Sequence, residues 1–355
     1  MNTAEKIAVG LSGGVDSAVA ALLLKQAGHD VVALVMRLPI FSEREEVAQN
    51  SVLGDARRVA DCLDLPLEEL DFREAFEQTV LAPFVSAYAN GLTPNPCVFC
   101  NRAIKFGALA DAARRGGCEA LATGHYARVF HEGDFFKLQC AEDLNQDQSY
   151  FLHGPSQEQL AFARFPIGHL SKAQVRALAA EAGLPVSQKR GSRDLCFLPD
   201  GDYRALLRLR CPGACQPGPV CHALTGEVLG THPGTAACTI GQRKGLGIAT
   251  GEPLFVTAIE PATRTVRVAP RGVLPQAAFW VEGVNWISIA PPTEPLRLMV
   301  RTRFRQALFP ARVEPRGGMC RVVPEVVLQE MAAPGQGAVF YEGSVVVGGG
   351  MVKNE

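Results

Sequence analysis

The sequence predicts an α/β chain: a doubly wound parallel sheet, then a small central β-rich domain and a C-terminal β-barrel. Three observations lead there. Up to about residue 182, apolar runs of strand length alternate with helical runs, the pattern of a parallel sheet with helices on both faces. Beyond about residue 205, proline and glycine punctuate short β-type runs, as in small barrels and sandwiches. The 355 residues are 47% hydrophobic and 20% charged, enough for buried cores and, at roughly 150 residues a domain, for two or three of them. Boundaries are expected near 205 and 276, giving segments 1–205, 206–276 and 277–355.

The elements follow in order. Residues 6–10 read as a buried strand, and 18–27 as a helix closed by Gly28. A second strand is expected over 31–36, a helix over 54–63 and a strand over 67–70. Residues 104–115 read as a helix closed by Gly116-Gly117, and 120–123 as a short strand running into Gly124-His125. Ser171 is a good N-cap for a helix over 171–182 that Gly183 ends. Later β-type runs lie at 254–259, 265–268, 279–284, 296–304, 311–313, 320–323, 325–328, 338–341 and 344–347.

Composition excludes some classes of function. The apolar fraction excludes a disordered or acidic-tail protein. No apolar run reaches the ~18 residues of a spanning helix, so no membrane role is expected. Met1 to Lys6 lead straight into a strand with no signal-peptide pattern, so a cytoplasmic protein is expected. The net charge of −1 hides an asymmetry: residues 206–355 carry 15 Lys and Arg against 10 Asp and Glu, and residues 1–205 carry 20 against 26. A basic second half suits a polyanionic partner, although a solvated surface would look the same.

Gly10-Leu11-Ser12-Gly13-Gly14-Val15-Asp16-Ser17 follows a strand and opens a helix. Small residues let the backbone approach an anion, and N–H groups at a helix start point towards it. No Gly-Lys-Ser/Thr follows, so this is not a Walker A loop. The pattern SGGxDS instead resembles the pyrophosphate loop of enzymes that split ATP between its α and β phosphates. There Asp16 would help hold Mg²⁺, and Ser12 and Ser17 would bond phosphate oxygens. Open α/β sheets bind nucleotides beyond the carboxyl ends of their strands. Met36 at the end of the second strand could pack on adenine, and Gly124 could let the nucleotide come close.

Eleven cysteines cannot all pair, and a reducing compartment favours reactive, ligating or buried thiols. Cys62, Cys118, Cys140, Cys238 and Cys320 sit singly and read as apolar packing. Cys97 and Cys100 form a C-x-x-C pair in Thr93-Pro94-Asn95-Pro96-Cys97-Val98-Phe99-Cys100, just ahead of the expected helix. A helix start lowers a thiol pKa, and Lys105 adds positive charge, so Cys100 is a candidate nucleophile. The spacing alone leaves redox, zinc and iron–sulfur roles open. Cys196 is flanked by Lys189, Arg190 and Arg193, which also favour a thiolate, while Leu195 and Phe197 would suit plain burial. Cys211, Cys215 and Cys221 are close enough in sequence to raise a metal site.

Taken together, the motifs resemble the bacterial tRNA-specific 2-thiouridylases of the MnmA type, nearly end to end. They are GLSGGVDS at 10–17, TPNPCVFCNRAIKFG at 93–107, TGHYAR at 123–128, DQSYFL at 147–152, DLCF at 194–197, TIGQRKGLGI at 239–248, RTRFRQ at 301–306 and GQGAVFYEGSVVVGGG at 335–350. The resemblance implies an ATP-pyrophosphatase catalytic domain, a central tRNA-binding domain and a barrel. It implies that ATP, held by Gly10 to Ser17, Met36 and Gly124, adenylates O2 of the wobble uridine. Asn95, Pro96 and Cys97 would meet the target base, which could be flipped into the pocket. Cys196 would carry sulfur as a persulfide and Cys100 would complete its transfer, leaving a Cys100–Cys196 disulfide. Gln146, Asp147, Gln148, Arg303 and Phe304 match tRNA-contacting positions. On an extended strand Arg301, Arg303 and Arg305 would share one face and Phe304 the other. The implied partners are tRNA and a sulfur-relay protein or cysteine desulfurase, and a monomer is expected.

Two departures stand out. Many relatives carry Asp where this chain has Cys97, so Cys97, Cys100 and Cys196 could instead ligate a [4Fe–4S] cluster with one iron open. Relatives often have Lys where this chain has Gln146, which weakens phosphate attraction slightly. Two other classes compete: an ATP-pyrophosphatase ligase of a small metabolite, which needs neither Cys100 nor Cys196, and a non-catalytic RNA-binding protein, which needs no intact phosphate loop.

Overall fold

Ile7, Ala8 and Val9 are buried, so the strand they form, β1 (Lys6–Gly10), must lie in a sheet covered on both faces. It does so in a computed structural model that describes residues 4–41, 45–189, 195–248, 251–270, 278–328 and 330–353. β1 pairs with β2 (Asp30–Arg37), and β2 with the edge strand β3 (Leu67–Asp71). On the other side of β1 lies β4 (Ala120–Ala122). After β4 the chain leaves the sheet in a hairpin, β5 (Ala127–Glu132) and β6 (Phe135–Cys140), and returns as β7 (Ala163–Arg164) beside β4. The order β3–β2–β1–β4–β7, parallel throughout, is the expected doubly wound sheet.

One face is covered by the helices Val15–Gln26, Glu45–Cys62 and Lys172–Glu181, through Val19, Leu53, Val59, Val175 and Ala179. The other is covered by Phe106, Leu109 and Ala113 from one long helical run, together with Val339, Tyr341 and Val346 from the barrel. The Lys172–Glu181 helix has the expected Ser171 cap, in a reciprocal capping box with Gln174.

The long run starts at Pro96, near the start that the prolines predict and ahead of the periodic run 104–115, and passes through Pro96–Phe99, a π-helical stretch Cys100–Leu109 and Ala110–Arg115. Proline suits a first helical position because its missing N–H is not needed there. A helical run over Arg73–Phe76, Glu77–Leu81 and Ala82–Ala89 was not expected; it is held by buried Phe76, Val80, Leu81 and Phe84.

The central β-sheet is built from β8 (Gly218–His222), β9 (Val228–His232), β10 (Leu254–Glu260) and β11 (Thr265–Pro270), in the order β10–β11–β8–β9. Residue 205 falls inside the helix Tyr203–Arg210, whose Leu206 and Leu207 pack with Phe76, Phe84 and Phe197. The expected boundary at 276 lies outside the described residues.

The C-terminal barrel comprises β12 (Phe279–Trp286), β13 (Leu296–Arg301), β14 (Phe309–Arg316), β15 (Met319–Pro324), β16 (Gly337–Glu342) and β17 (Val345–Val352). It closes where β12 pairs with β17. The run 325–328 is not a strand: β15 ends at Pro324, and Val326 and Val327 are exposed. β6 pairs with β17, so the hairpin from the first half extends the barrel's sheet. The Tyr150 hydroxyl donates to Gly337 O at 2.9 Å, and Asn285 Nδ2 to His153 O and Pro155 O at 2.9 and 2.8 Å. The first half and the barrel therefore share hydrogen bonds and a core.

Candidate active site

The glycine-rich loop connects β1 to the Val15–Gln26 helix. Gly13 has φ +68, and an added Cβ would lie 3.0 Å from Val52 O and 3.1 Å from the Asp55 Cβ. Only glycine turns there without strain. Gly14 is an N-cap without a side-chain cap, which leaves the helix-start N–H groups for a ligand. Ser12 is exposed, whereas Ser17 is buried and donates to Gly14 O at 3.1 Å while accepting from Ser12 N at 3.1 Å. Ser17 therefore ties the loop to the helix.

Asp16 is held by two groups from other segments. Lys172 Nζ donates to its two carboxylate oxygens at 2.6 and 2.7 Å, and the Tyr126 hydroxyl donates to Oδ1 at 2.8 Å. Asp16 also pushes the Tyr126 pKa up, second to the burial of that ring. Below the loop, Lys189 donates to Gly13 O at 2.9 Å and pairs with the buried Asp55. Lys189 thus supports the glycine-rich loop, not the Cys196 thiol as the sequence suggested; Arg190 and Arg193 lie outside the described residues.

Gly124 follows β4, and its missing side chain has a use within the protein itself. A Cβ there would lie 2.5 Å from Ser17 N and 2.6 Å from Asp16 C. The glycine lets the turn after β4 touch the loop's own backbone. Met36, half-buried, sits opposite Leu70 near the carboxyl end of β2, where its side chain packs into two cores.

The thiols lie at the next position along the same sheet edge. Asn95 caps the Pro96–Phe99 turn, so Cys97 is in its first turn and Cys100 already in the π-helical stretch. Cys100 is 6% exposed and Asn95 and Pro96 are also buried. Burial pushes the Cys97 thiol up to about 11 and the Cys100 thiol up to about 12. This corrects the expected low pKa: desolvation outweighs the helix start. Cys196 is exposed as a residue, yet enough protein surrounds its thiol for desolvation to raise its pKa too. Lys105 opposes the rise in all three thiols.

Lys105 Nζ lies 3.1 Å from His125 Nε2, and His125 Nδ1 lies 2.8 Å from Thr123 Oγ1. Burial, then Lys105, holds the His125 pKa well below its usual value, so the ring is neutral. A neutral ring accepts from the ammonium at Nε2 and donates from Nδ1 to the threonine oxygen. The four residues Thr123 to Tyr126 thus touch the loop through Gly124 and Tyr126, and the thiols' cation through His125.

The expected tRNA-contacting residues divide. Gln146 is half-buried. Asp147 is 4% exposed and accepts from Ala141 N, Ser149 N and Ser149 Oγ, so it is an internal anchor, correcting the expected RNA contact. Gln148 accepts from Tyr126 N at 3.0 Å. β13 stops at Arg301 and Arg305 has φ +64, so Arg301, Arg303 and Arg305 do not line one face. Arg303 donates to Ile240 O at 2.7 Å, pinning barrel to central sheet, and Phe304 packs on Phe151 with ring centroids 4.6 Å apart.

Sequence reasoning missed Lys172, Tyr126 and the His125–Thr123 pair. The first two come from segments 156 and 110 residues from Asp16, beyond any local spacing rule. Among the described residues, no three His, Cys, Asp or Glu side chains stand close enough to hold a metal ion. Cys97, Cys100 and Cys196 as placed do not fit a cluster, nor do Cys211, Cys215 and Cys221 form a metal site. Of the cysteines read as packing, Cys118, Cys140, Cys238 and Cys320 are buried, whereas Cys62 is exposed.

Comparison with known proteins agrees with this picture. Residues 5–200 match the family model described as tRNA methyl transferase HUP domain, 209–270 its PRC-barrel domain, and 276–352 the aminomethyltransferase beta-barrel domain. A tRNA-specific 2-thiouridylase MnmA of Chloroflexus aurantiacus is 43% identical over 353 residues, 98% of each chain. Those of Rhodospirillum centenum and Moorella thermoacetica are 42% and 40% identical over 98% of this chain, and 91% and 99% of theirs. Among solved structures, the U34-tRNA thiolase NcsA of Methanococcus maripaludis with its [4Fe–4S] cluster covers 59% of this chain and 67% of its own. Its identity is 18% and its TM-score 0.36, too slight a likeness to bear on function. On sequence identity over nearly its whole length, the chain belongs to the tRNA-specific 2-thiouridylase MnmA family.

Proposed function

We propose that the protein is an ATP-dependent tRNA sulfurtransferase that makes 2-thiouridine at the wobble position. The observation that carries this reading is the Thr123–Tyr126 turn, which contacts a phosphate loop on one side and a thiol-bearing pocket on the other. An ATP-dependent ligase would need the first alone, and an RNA-binding module neither.

In this reading the uridine O2 attacks the α-phosphorus of ATP, a C–O–P linkage forms and pyrophosphate leaves. The loop from Gly10 to Ser17 would hold the phosphates with its N–H groups, with Met36 at the base. Mg²⁺ would neutralise phosphate charge when bound. Asp16 fits as its protein ligand, because it is the loop's carboxylate and already matches a cation, Lys172. Cys196, charged as a persulfide by a sulfur-relay protein or cysteine desulfurase, attacks C2 with its terminal sulfur and AMP leaves. Cys100 then attacks the Cys196 sulfur and forms the Cys100–Cys196 disulfide. The transferred sulfur keeps the electron pair of the broken S–S bond as the thiocarbonyl. An external thiol reductant resets the pair.

Burial of Cys97 and Cys100 suits a site in which a base displaces water before the thiols act. Asn95, Pro96 and Cys97 would border that base. Gln146, Gln148, Arg303 and Phe304 would lie along the path of the tRNA, Asp147 holding their segment in place. We read 1–205 as the catalytic part, 206–276 as the central tRNA-binding part and 277–355 as the barrel, in a cytoplasmic monomer.

The test incubates anaerobically purified protein with unmodified tRNA, ATP, Mg²⁺ and cysteine desulfurase plus cysteine, then weighs the nucleosides. A uridine that exchanges oxygen for sulfur only with ATP supports the reading. No thiolated nucleoside from folded, ATP-binding protein would replace it with a small-molecule ligase.

A further inference from the structure

We infer that Lys105, fixed by the His125–Thr123 pair, is the positioning cation shared by the thiols of Cys97, Cys100 and Cys196. The inference rests on the sulfurtransferase reading and adds to it a residue acting through the cysteines.

The geometry begins with the helix. Lys105 lies five positions after Cys100, which on a regular α-helix puts them on different faces. Over Cys100–Leu109 the backbone bonds i to i+5 instead, so residues five apart return to about the same face. The π-helical stretch starts at Cys100 itself. Such stretches are uncommon and recur at functional sites.

The second part is the partner. Lys105 meets a buried histidine whose other nitrogen is engaged by Thr123 at 2.8 Å. A carboxylate in that place would cancel the ammonium's charge; a neutral imidazole accepts one of its hydrogens and leaves the charge intact. Among the described residues Lys105 makes no ion pair, and the ionisable groups facing it are Cys97, Cys100, Cys196 and His125. The held charge therefore acts on the thiols, and is felt most where the residue is buried, at Cys100. It would favour every anionic sulfur of the transfer: the persulfide that attacks and the Cys100 thiolate that follows. Adenylation, at the phosphate loop, does not involve it.

The test uses the full chain with Lys105→Gln, which keeps a donor for His125 and removes the charge, and Lys105→Arg, which keeps the charge. Two products are followed on unmodified tRNA with ATP, Mg²⁺ and cysteine desulfurase plus cysteine: tRNA-dependent pyrophosphate and thiolated uridine. K105Q is expected to release pyrophosphate as the unsubstituted protein does while thiolation falls about tenfold or more, the effect of one pKa unit on thiolate. K105R is expected to recover most of it. Thiolation by K105Q at the full rate overturns the inference. So does an equal loss of both products in K105Q and K105R, which makes Lys105 a scaffold residue. If the unsubstituted protein makes no thiouridine, the sulfurtransferase reading itself fails.

Discussion

The phosphate loop and the thiol pocket share one edge of one sheet, yet they are built on opposite principles. The loop is part-exposed and dense in charge: Asp16 faces Lys172, and Asp55 faces Lys189 and Arg58. The thiol site is nearly neutral, with the buried Cys100, the half-buried Cys97, the exposed residue Cys196, one ammonium and an uncharged imidazole. A triphosphate arrives charged and needs donors ready on arrival. A thiol inside protein is safe from stray oxidants and becomes reactive only when its surroundings favour the anion. On the proposed reading, the difference separates an ATP step from a sulfur step within a span bridged by four residues.

Substitutions that silence one side and spare the other sharpen that comparison most. Cys100→Ala and Cys196→Ala should leave ATP binding intact and bring thiouridine to background, by nucleoside mass spectrometry. Gly124→Ala should act from the other side, removing ATP binding and with it thiouridine. Its Cβ would strike the loop backbone at Ser17 and Asp16, costing about 1–3 kcal/mol of stability and abolishing ATP binding by calorimetry, with the thiols intact. A G124A protein that binds ATP normally would break the account of the turn.

The next effect is in reactivity. With its thiol near 12 against an ordinary 9.0, Cys100 holds about a thousandfold less thiolate than a free thiol at neutral pH. The sign is fixed by the direction of the shift: alkylation of Cys100 by iodoacetamide, followed by peptide mass spectrometry, should still be climbing as the pH approaches 12. A plateau near 9 would show a thiol much less desolvated than this structure has it. On the loop side, Lys172→Met removes a charge-assisted pair from Asp16 and leaves its charge facing the triphosphate. KM for Mg-ATP should rise about tenfold, the value of one such hydrogen bond. The smallest effect is expected for Arg58→Ala. Arg58 is largely exposed and Lys189 still pairs with Asp55, so thermal denaturation should detect no more than about 0.5 kcal/mol.

The same contrast explains what could be read from the sequence. Backbone groups of eight consecutive residues make the loop, so SGGxDS between a strand and a helix was sufficient to find it. The pocket is made by side chains from segments near 97–105, 123–125 and 196, and its character depends on burial that no local pattern encodes. Pro96 marks the helix start, as the sequence predicts, but the burial that raises the Cys100 pKa has no local signal. Lys189 seemed to flank Cys196 but reaches the loop. Lys105 was visible as a nearby charge, whereas its alignment with Cys100 depends on a π-helical register. The β5–β6 hairpin did leave a signal, the Gly133-Asp134 turn with φ +60 at the glycine, between two apolar runs. The parallel-sheet class and the barrel were legible because alternation and turn spacing are local; the pairing of β6 with β17 joins residues about 200 apart and was not.

The most direct measurement of the central claim is a single turnover with protein carrying a Cys196 persulfide, unmodified tRNA, ATP and Mg²⁺, without added reductant. Peptides and nucleosides are weighed from the same sample. One Cys100–Cys196 disulfide for each thiouridine, both dependent on ATP, is the predicted result. Thiouridine formed at the same yield by the C100A protein, or with no disulfide at all, would contradict it.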